Sequence, residues 1–265
     1  MSFEHYLEKA RTESQFSVNK SWGQGRTLFG GVSAAIALEQ TRQQVDASRP
    51  LRSLAVSFCG ATLADTDFNV STQLLSDGKS VSQINGYIVQ NEKVVTQVTA
   101  CYGVERKSEI DVQAPAVEIP KLGSGQRMSY ISGLTPEFVQ HIDYEYTRGQ
   151  FPFSNSKHNE LAGWMRFNEP GTEFTEAHLV GLIDSWPPVV LQKLKKLAPA
   201  ATVTWNLEIV QPISMLETKI QADDWLYYEA EVKQAHHGYA HTEARVYAAD
   251  GILIALSRQL VTVYG

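Results

Sequence analysis

Asp184 is the residue whose type and setting most directly suggest chemistry. It ends a run of apolar side chains in the segment HLVGLIDSWPPVV, residues 178–190. A buried carboxylate is costly unless it is paired, hydrogen-bonded or needed for a reaction. At a reaction site such a carboxylate can act as a general base that takes a proton from a positioned water molecule. The setting therefore makes Asp184 a candidate catalytic residue.

Asp184 also has a structural alternative. Asp is a good N-cap, and the Pro187-Pro188 pair could open a short helix directly after it. Ser185 could cap that helix equally well. A carboxylate at the C-terminal end of a helix also meets the negative end of the helix dipole, which is unfavourable. These two points favour the catalytic interpretation.

Other kinds of site find little support in the motifs. Three histidines lie close in sequence, namely His236, His237 and His241. A zinc site is not expected from them, because residues four apart on a strand lie about 13 Å apart and no Cys is near. No Gly-x-Ser-x-Gly motif indicates a serine hydrolase, and the glycine-rich segment 23–31 lacks the Lys of a P-loop. We therefore expect no metal and no cofactor.

Two helices and two groups of strands must position the site. Residues 28–45 are rich in Ala and apolar nearly all round, which predicts a helix wrapped by other structure. Residues 174–186 form a second helical segment. Most of the remaining chain alternates between apolar and polar residues in short runs. Turns such as Asp250-Gly251 separate these runs, which indicates strands.

The order helix, four strands, helix, four strands suggests an internal duplication. Gly78 lies nine residues before Tyr87, and Gly238 lies nine before Tyr247, so an offset of 160 relates both pairs. Such a consistent register is typical of a decayed repeat. One long helix with a curled antiparallel sheet around it, present twice, is the tandem (double) hotdog arrangement of an α+β protein. Two copies side by side can bury edges that one copy would expose.

The domain boundaries follow from this order. We predict an N-terminal hotdog over residues 1–105, an irregular connector over residues 106–138 and a C-terminal hotdog over residues 139–265. The connector is marked by prolines and glycines, among them Pro115 and Gly123. Hotdog units hide sheet edges by pairing, so we also expect association into a homo-oligomer.

The composition excludes several classes of protein. A net charge of −6 argues against a nucleic-acid binder, whose footprint is basic. The polar first residues contain no signal-peptide h-region, and no apolar run approaches the ~20 residues of a membrane helix. We therefore expect a cytoplasmic protein without membrane contact. Cys59 and Cys101 are too few for a disulfide framework and are expected to be small buried residues.

Several segments resemble the double-hotdog acyl-CoA thioesterases, the thioesterase II group. In the first half these are FGGVSAAIAL and LLSDGKSVSQ. In the second half they are PFSNS with GWMRF, LVGLIDSWPP, ATVTWNLEIVQP and a block over residues 223–259, which is the most specific. The resemblance implies a double-hotdog fold and hydrolysis of a fatty or related acyl-CoA to the free acid and CoA.

The resemblance also implies a catalytic set. The group has an Asp on the second-half helix, a Thr that opens the following strand and a Gln on the last strand. These positions fall on Asp184, Thr202 and Gln259. Asp184 would be the general base, and the other two would hold the water and the carboxylate. By residue type alone, Gln259 would be an outward-facing strand residue and Thr202 an ordinary one.

Two further groups have competing interpretations. Glu39 is a rival base, since some single-hotdog thioesterases carry a catalytic Glu in a helix after a Gly-Gly pair, here Gly30-Gly31. Polar residues follow Glu39, so we expect instead that the helix emerges into solvent there. The lysines at 193, 195 and 196 are expected to form a solvated helix face, with contact to CoA phosphates as the alternative.

The chain departs from the group at two places. Residues 204–206 are Thr-Trp-Asn where the group usually has Asp-His-Ser, and a Trp and two prolines at 186–188 follow the helix Asp. These changes could reshape the acyl pocket, so the alternative function is a non-catalytic acyl-CoA or lipid-binding module. A hotdog dehydratase ranks last. It needs an Asp and a His in one site, and His178 precedes Asp184 in the wrong order.

Overall fold

The computed structural model describes residues 1–264, in which three α-helices and fourteen β-strands occur. The helices are α1 (Phe3–Ala10), α2 (Gly30–Arg42) and α3 (Glu176–Asp184). The strands of the first half are β1 (Gln15–Phe16), β2 (Gly23–Gln24), β3 (Thr27–Leu28), β4 (Leu51–Phe58), β5 (Phe68–Asp77), β6 (Val81–Gln90) and β7 (Lys93–Gly103). Those of the second half are β8 (Gln126–Met128), β9 (Ile142–Arg148), β10 (Glu160–Phe167), β11 (Ala200–Ile209), β12 (Leu226–His236), β13 (Tyr239–Tyr247) and β14 (Leu253–Val263).

Twelve strands form one antiparallel sheet, in the order β1-β5-β6-β7-β4-β11-β14-β13-β12-β10-β9-β8. The strands β2 and β3 form a separate hairpin. The outermost strands of the large sheet are only two and three residues long, which limits the unpaired backbone at its edges. The fold is therefore α+β with a largely antiparallel sheet, as the sequence predicts.

The strand order is the same in the two halves of the sheet. The set β5-β6-β7-β4 follows α2 in the chain, and β12-β13-β14-β11 follows α3. The two sets meet where β4 pairs with β11. Gly78 lies between β5 and β6, and Gly238 lies between β12 and β13. The offset of 160 residues found in the sequence therefore relates equivalent hairpins.

The helix α2 runs through the interior of the protein. Ten of its 13 residues are buried, so it is covered on nearly all sides, as the sequence predicts. Small residues allow α3 to pack closely against it, since a Cβ on Gly31 would come within 2.9 Å of the Gly181 carbonyl oxygen. This packing brings the C-terminal end of α3 to the N-terminal end of α2.

The helix α1 is an element that the sequence analysis missed. Ser2 caps it by accepting a hydrogen bond from the His5 N–H at 3.3 Å. Its apolar face is buried, and Phe3 stacks on Phe167 with ring centroids 4.6 Å apart. Charged residues stand between the apolar positions, and an eight-residue helix has only about two turns. The apolar periodicity is therefore too short to predict the helix from the sequence.

Three details differ from expectation. The helix α3 has only nine residues, so of the two helices predicted to be long only α2 is long. The segment 106–138 is not irregular throughout, because β8 lies within it and pairs with β9. Cys59 is exposed and Cys101 is partly exposed, so neither is a core residue.

The longest of the three helices, α2, has 13 residues. Within residues 1–264, none of them combines the length and the apolarity that crossing a membrane requires.

Replacing Phe3 by Ala should destabilise the protein by about 3–5 kcal/mol, the usual cost of removing a buried aromatic ring. The residue is 2% exposed, and a Cβ on Gly181 of α3 would lie 2.4 Å from the ring. Urea unfolding followed by tryptophan fluorescence measures the change. Leu134→Ala is the control, because that side chain is 64% exposed. Equal stability of the two variants would show that α1 does not hold the helices together.

Candidate active site

The Asp184 carboxylate lies where α3, α2 and β14 meet. Asp184 is the last residue of α3, and Gln259 of β14 donates a hydrogen bond from Nε2 to Asp184 Oδ1 at 3.0 Å. The Gly31 N–H, in the first turn of α2, lies close enough to the carboxylate to stabilise its charged form. Three elements that are distant in sequence thus converge on one carboxyl group.

The start of α2 is suited to approach this carboxylate. Phe29 is the N-cap residue, and its side chain makes no capping hydrogen bond. The first N–H groups of a helix have no intrahelical acceptor, and the Asp184 carboxylate places negative charge beside them. Gly30 leaves the necessary space, since a Cβ there would come within 2.7 Å of Asp184 Oδ2. The Gly-Gly pair therefore permits the contact.

The surroundings of Asp184 raise its pKa to about 7, and burial among neighbouring atoms is the largest cause. The hydrogen bond from Gln259 and the nearby Gly31 N–H lower the pKa, because they stabilise the charged form. The residue is not sealed off, since part of its surface remains accessible to water. A carboxyl group with a pKa near neutrality that water can reach has the properties of a general base.

The sheet positions Gln259 beside the carboxylate. Gln259 is paired with Trp205 of β11 on one side and Thr242 of β13 on the other, so these three side chains lie on one face of the sheet. Trp205 is completely buried, and its indole N–H donates to Ser257 Oγ at 2.8 Å. Trp205, which departs from the thioesterase II pattern, is thus a core residue next to Gln259, and its indole N–H has a hydrogen-bond acceptor.

Thr202 lies on the same face of the sheet and does not touch the carboxylate. It pairs with Val261, two residues beyond Gln259 on β14, which places it about 7 Å further along the strand. No hydrogen bond joins it to Asp184 or Gln259 in the part of the chain that the structure describes. Of the three residues that the resemblance implies, the structure brings Asp184 and Gln259 together and leaves Thr202 apart.

The capping alternative for Asp184 is wrong in the form suggested by the sequence. The helical turn after the Pro-Pro pair spans Val189–Lys193, and its N-cap is Pro188. Ser185 ends α3, since its N–H and its hydroxyl both donate to the Leu182 carbonyl oxygen. Asp184 does lie against the N-terminal end of a helix, but that helix is α2, which is distant from Asp184 in sequence.

Glu39 lies towards the other end of α2 and is buried, which corrects the expectation that the helix emerges into solvent there. Arg11, directly after α1, donates from Nε to Glu39 Oε1 at 3.0 Å. Burial raises the pKa of Glu39, and Arg11 opposes that rise. The missed helix α1 explains the error, because it brings Arg11 over this end of α2. About 12 Å of helix separates Glu39 from Gly31, so the two carboxylates do not share a site.

His178 belongs to a contact away from Asp184. The two residues are about 9 Å apart along α3. The Nδ1 atom of His178 accepts the Thr175 N–H at 3.2 Å, and its Nε2 lies 3.2 Å from Glu4 Oε2. The His178 ring therefore faces the start of α3 and Glu4 of α1 and not Asp184, and the Asp–His site of a dehydratase is not formed. Among residues 1–264, no three His, Cys, Asp or Glu side chains are grouped so as to hold a metal ion.

An aromatic cluster adjoins Asp184 and was missed in the sequence. Its members are Trp186, Tyr144, Tyr146 and Tyr228, with ring centroids 4.9 to 5.4 Å from the Trp186 ring. The Tyr144 hydroxyl donates to the Ser185 carbonyl oxygen at 3.0 Å, which fixes the chain between Asp184 and Trp186. Tyrosines at 144 and 146 are the signal that could have revealed the cluster, because alternate residues of a strand share a face.

Two sequence models of one family match this chain. The model described as the acyl-CoA thioesterase N-terminal domain matches residues 18–103. The model described as the acyl-CoA thioesterase C-terminal domain matches residues 115–263, a stretch that includes both Asp184 and Gln259. No curated protein sequence matches the chain.

Solved structures are similar over almost the whole chain. A hotdog-fold protein of unknown function from Alicyclobacillus acidocaldarius is 24% identical, with a TM-score of 0.83 and 98% of each chain covered. An acyl-CoA thioesterase II from Mycobacterium marinum is 18% identical, with a TM-score of 0.76 and coverage of 100% of this chain and 99% of that one.

A dehydratase domain from Pseudomonas fluorescens is 11% identical, with a TM-score of 0.53 and coverage of 95% of this chain and 93% of that one. At such identities, structural similarity shows the hotdog fold alone, because one fold can carry several chemistries. The sequence models go further, since together they account for most of residues 18–263. This chain belongs to the acyl-CoA thioesterase family that these N-terminal and C-terminal domains define.

Proposed function

We propose that this protein is an acyl-CoA thioesterase that hydrolyses a fatty or related acyl-CoA to the free acid and CoA. The observation that carries the proposal is the Asp184 carboxyl group, held between the Gln259 amide and the first turn of α2. Such a group can accept a proton from water and later return it, as hydrolysis requires. Family membership supports acyl-CoA as the class of substrate.

The proposed reaction balances without a further reagent. Asp184 takes a proton from a water molecule while the water oxygen attacks the thioester carbonyl carbon. The negative charge of the tetrahedral intermediate falls on the former carbonyl oxygen, where N–H groups in the first turn of α2 would stabilise it. Collapse of the intermediate breaks the C–S bond, and protonated Asp184 returns its proton to the CoA thiolate.

Gln259 and Thr202 have supporting roles in this proposal. The Gln259 N–H holds Asp184 Oδ1, so the base keeps one orientation towards the start of α2. The amide oxygen of Gln259 can accept a hydrogen bond from the attacking water. Thr202 lies on the same face of the sheet, so its hydroxyl would contact the water or the substrate and not the carboxylate itself.

We further propose that the 12-stranded sheet consists of two hotdog units, over residues 1–105 and 139–265, joined by the connector 106–138. The identical strand order after α2 and after α3 supports this division, as does the antiparallel junction of β4 with β11. One active site per chain follows from it. Within residues 1–264, α3 alone ends in a carboxylate that faces the other helix, while Glu39 of α2 is bound by Arg11. Homo-oligomer formation stays a prediction.

Asp184→Asn should keep the fold and lose activity, because the amide has nearly the same shape but cannot take a proton from water. Hydrolysis of acyl-CoA, followed as released thiol, should fall by about 10²-fold or more. Gln259→Ala should cost less, since Gln259 positions the base and carries no proton. Glu39→Gln is the matched control, a buried helix carboxylate outside the site that should change turnover little.

The results of this comparison separate the functions. If Asp184→Asn has unchanged turnover on a substrate that the wild type hydrolyses, Asp184 is not the catalytic base. Its role is then limited to its contact with the N-terminal end of α2. A wild type that binds acyl-CoA and hydrolyses none would instead identify a binding module.

The pH dependence of kcat/KM should report the ionisation of Asp184. The group must be deprotonated to act as a base, and its pKa is about 7. We therefore expect kcat/KM to rise about tenfold per pH unit below that value and to level off above it. Initial rates over the range from about pH 5 to pH 9 give the profile. A rate that stays level down to the acid end of the range would contradict the assignment.

Asp184 should also make the wild type less stable than Asp184→Asn as the pH rises. The pKa of Asp184 is about 7 in the folded protein, against an ordinary value of 3.8. The folded state binds this proton more tightly, so its contribution to stability is present below pH 3.8 and is lost as the pH rises through 7. Urea unfolding at several pH values should show the difference growing over that window, towards an upper limit of about 4 kcal/mol. A difference that does not depend on pH would be inconsistent with a raised pKa.

A further inference from the structure

Trp186 fills the space between the end of α3 and the sheet. It follows Asp184 by two residues, and only 4% of its surface is exposed. Its indole lies over Gly163 of β10, where an added Cβ would come within 2.7 Å of the indole Cη2. The missing side chain of Gly163 therefore admits the ring to the inner face of the sheet.

Two tyrosines flank the indole. Gly163 is paired with Tyr146 of β9 and with Tyr228 of β12, so the three residues lie in one row on the same face. The Trp186 ring stacks on Tyr228 at 5.3 Å with an interplanar angle of 7°, and it lies 4.9 Å from Tyr146. We call Trp186, Tyr146 and Tyr228 the aromatic wall. Within the wall, Tyr146 and Tyr228 contact the Trp186 ring on two sides, and the backbone of Gly163 lies against the ring.

The aromatic wall and the candidate base share one environment. Burial raises the pKa of Tyr228, and the negative charge of Asp184 adds to that rise. The hydrogen bond from Tyr144 to the Ser185 carbonyl oxygen fixes the two-residue connection from Asp184 to Trp186. The indole N–H also donates to Met165 Sδ at 3.0 Å. The indole is therefore held in place two residues along the chain from Asp184.

Two cavities of the structure lie away from this point. One cavity of about 390 Å³ is at the other end of α2, where Arg11, Glu39 and Glu173 line it. An open cavity of about 970 Å³ is lined by Arg52 and residues 103–108. Neither is bordered by Asp184, and their charged linings do not suit an alkyl chain, which binds in apolar slots.

We infer that Trp186 fills the space between α3 and the sheet, which we call the channel because an acyl chain would need it, and so restricts the protein to short acyl groups. This inference rests on the proposed thioesterase function and names its class of substrate. An acyl chain that passes Asp184 towards the sheet would meet the indole. A short acyl group ends before the ring, whereas a long one requires displacement of a side chain packed as tightly as any core residue.

The chain-length profile of the wild type tests the inference first. We expect kcat/KM for acetyl-CoA or butyryl-CoA to exceed that for palmitoyl-CoA by at least about tenfold, the lower range for one methylene that a pocket rejects. An equal or higher value for palmitoyl-CoA would overturn the inference and leave the thioesterase activity standing.

A binding measurement keeps the two proposals separate. If the wild type hydrolyses no acyl-CoA, the proposed function fails, and calorimetry with non-hydrolysable thioether analogues of CoA still decides the role of Trp186. Tighter binding of the short-chain analogue supports the blocked channel. Equal or tighter binding of the long-chain analogue overturns it.

Substitution of the indole tests the cause. Trp186→Ala should raise kcat/KM for octanoyl-CoA relative to acetyl-CoA by at least about tenfold over the wild-type ratio. Trp186→Leu replaces the indole with a smaller apolar side chain, so it should shift the ratio in the same direction. This variant should keep the fold even if Trp186→Ala does not. An unchanged ratio in the folded variants would overturn the inference.

Trp164→Ala is the matched control. Trp164 is the neighbour of Gly163 on β10 and is equally buried, at 4% exposure, but it packs on Tyr227 on the opposite face of the sheet. Its removal should lower the melting temperature much as Trp186→Ala does and should leave the ratio for octanoyl-CoA and acetyl-CoA unchanged. A shift of equal size in the control would mean that lost stability, and not an opened channel, changes the preference, which would also overturn the inference.

Discussion

The contact between the Asp184 carboxylate and the first turn of α2 is the constraint on which the site depends. A carboxylate at the C-terminal end of α3 meets the negative end of its own helix dipole, which is unfavourable. The N–H groups at the start of α2 offset this effect, because the Gly31 N–H lies close enough to the carboxylate to lower its pKa. Burial still dominates, and the pKa of Asp184 rises to about 7. The balance leaves a base that is ionised in part at neutral pH.

The rest of the fold serves to keep this contact in place. The absence of side chains at Gly30 and Gly31 allows the two helices to approach, and the sheet brings Gln259 to the same carboxylate. On the far side, the aromatic wall fixes the segment that follows Asp184. The same packing that positions the proposed base also fills the space that a long acyl group would need. Catalysis and selection of the acyl group, as proposed, would be two consequences of one arrangement.

Part of this structure could be predicted from the sequence. The small apolar residues of α2 indicated a covered helix, and the offset of 160 found equivalent hairpins because turn residues are fixed by backbone geometry. The helix α1 escaped because its two turns give a weak pattern, and the burial of Glu39 escaped with it. The contact of Asp184 with Gln259 joins residues 75 apart. Periodicity cannot show which strand meets which helix, so only the family resemblance suggested that contact.

The most direct test of this account is the ionisation of Asp184 in the wild-type protein. The side-chain carboxyl carbons of aspartates labelled with carbon-13 can be followed by NMR as the pH changes, and the Asp184 signal is the one absent from Asp184→Asn. We expect a titration midpoint near pH 7, set by burial between the two helices and the sheet. A midpoint near the ordinary value of 3.8 would mean that burial does not raise the pKa of Asp184 and that the carboxyl group lacks the property proposed for the base.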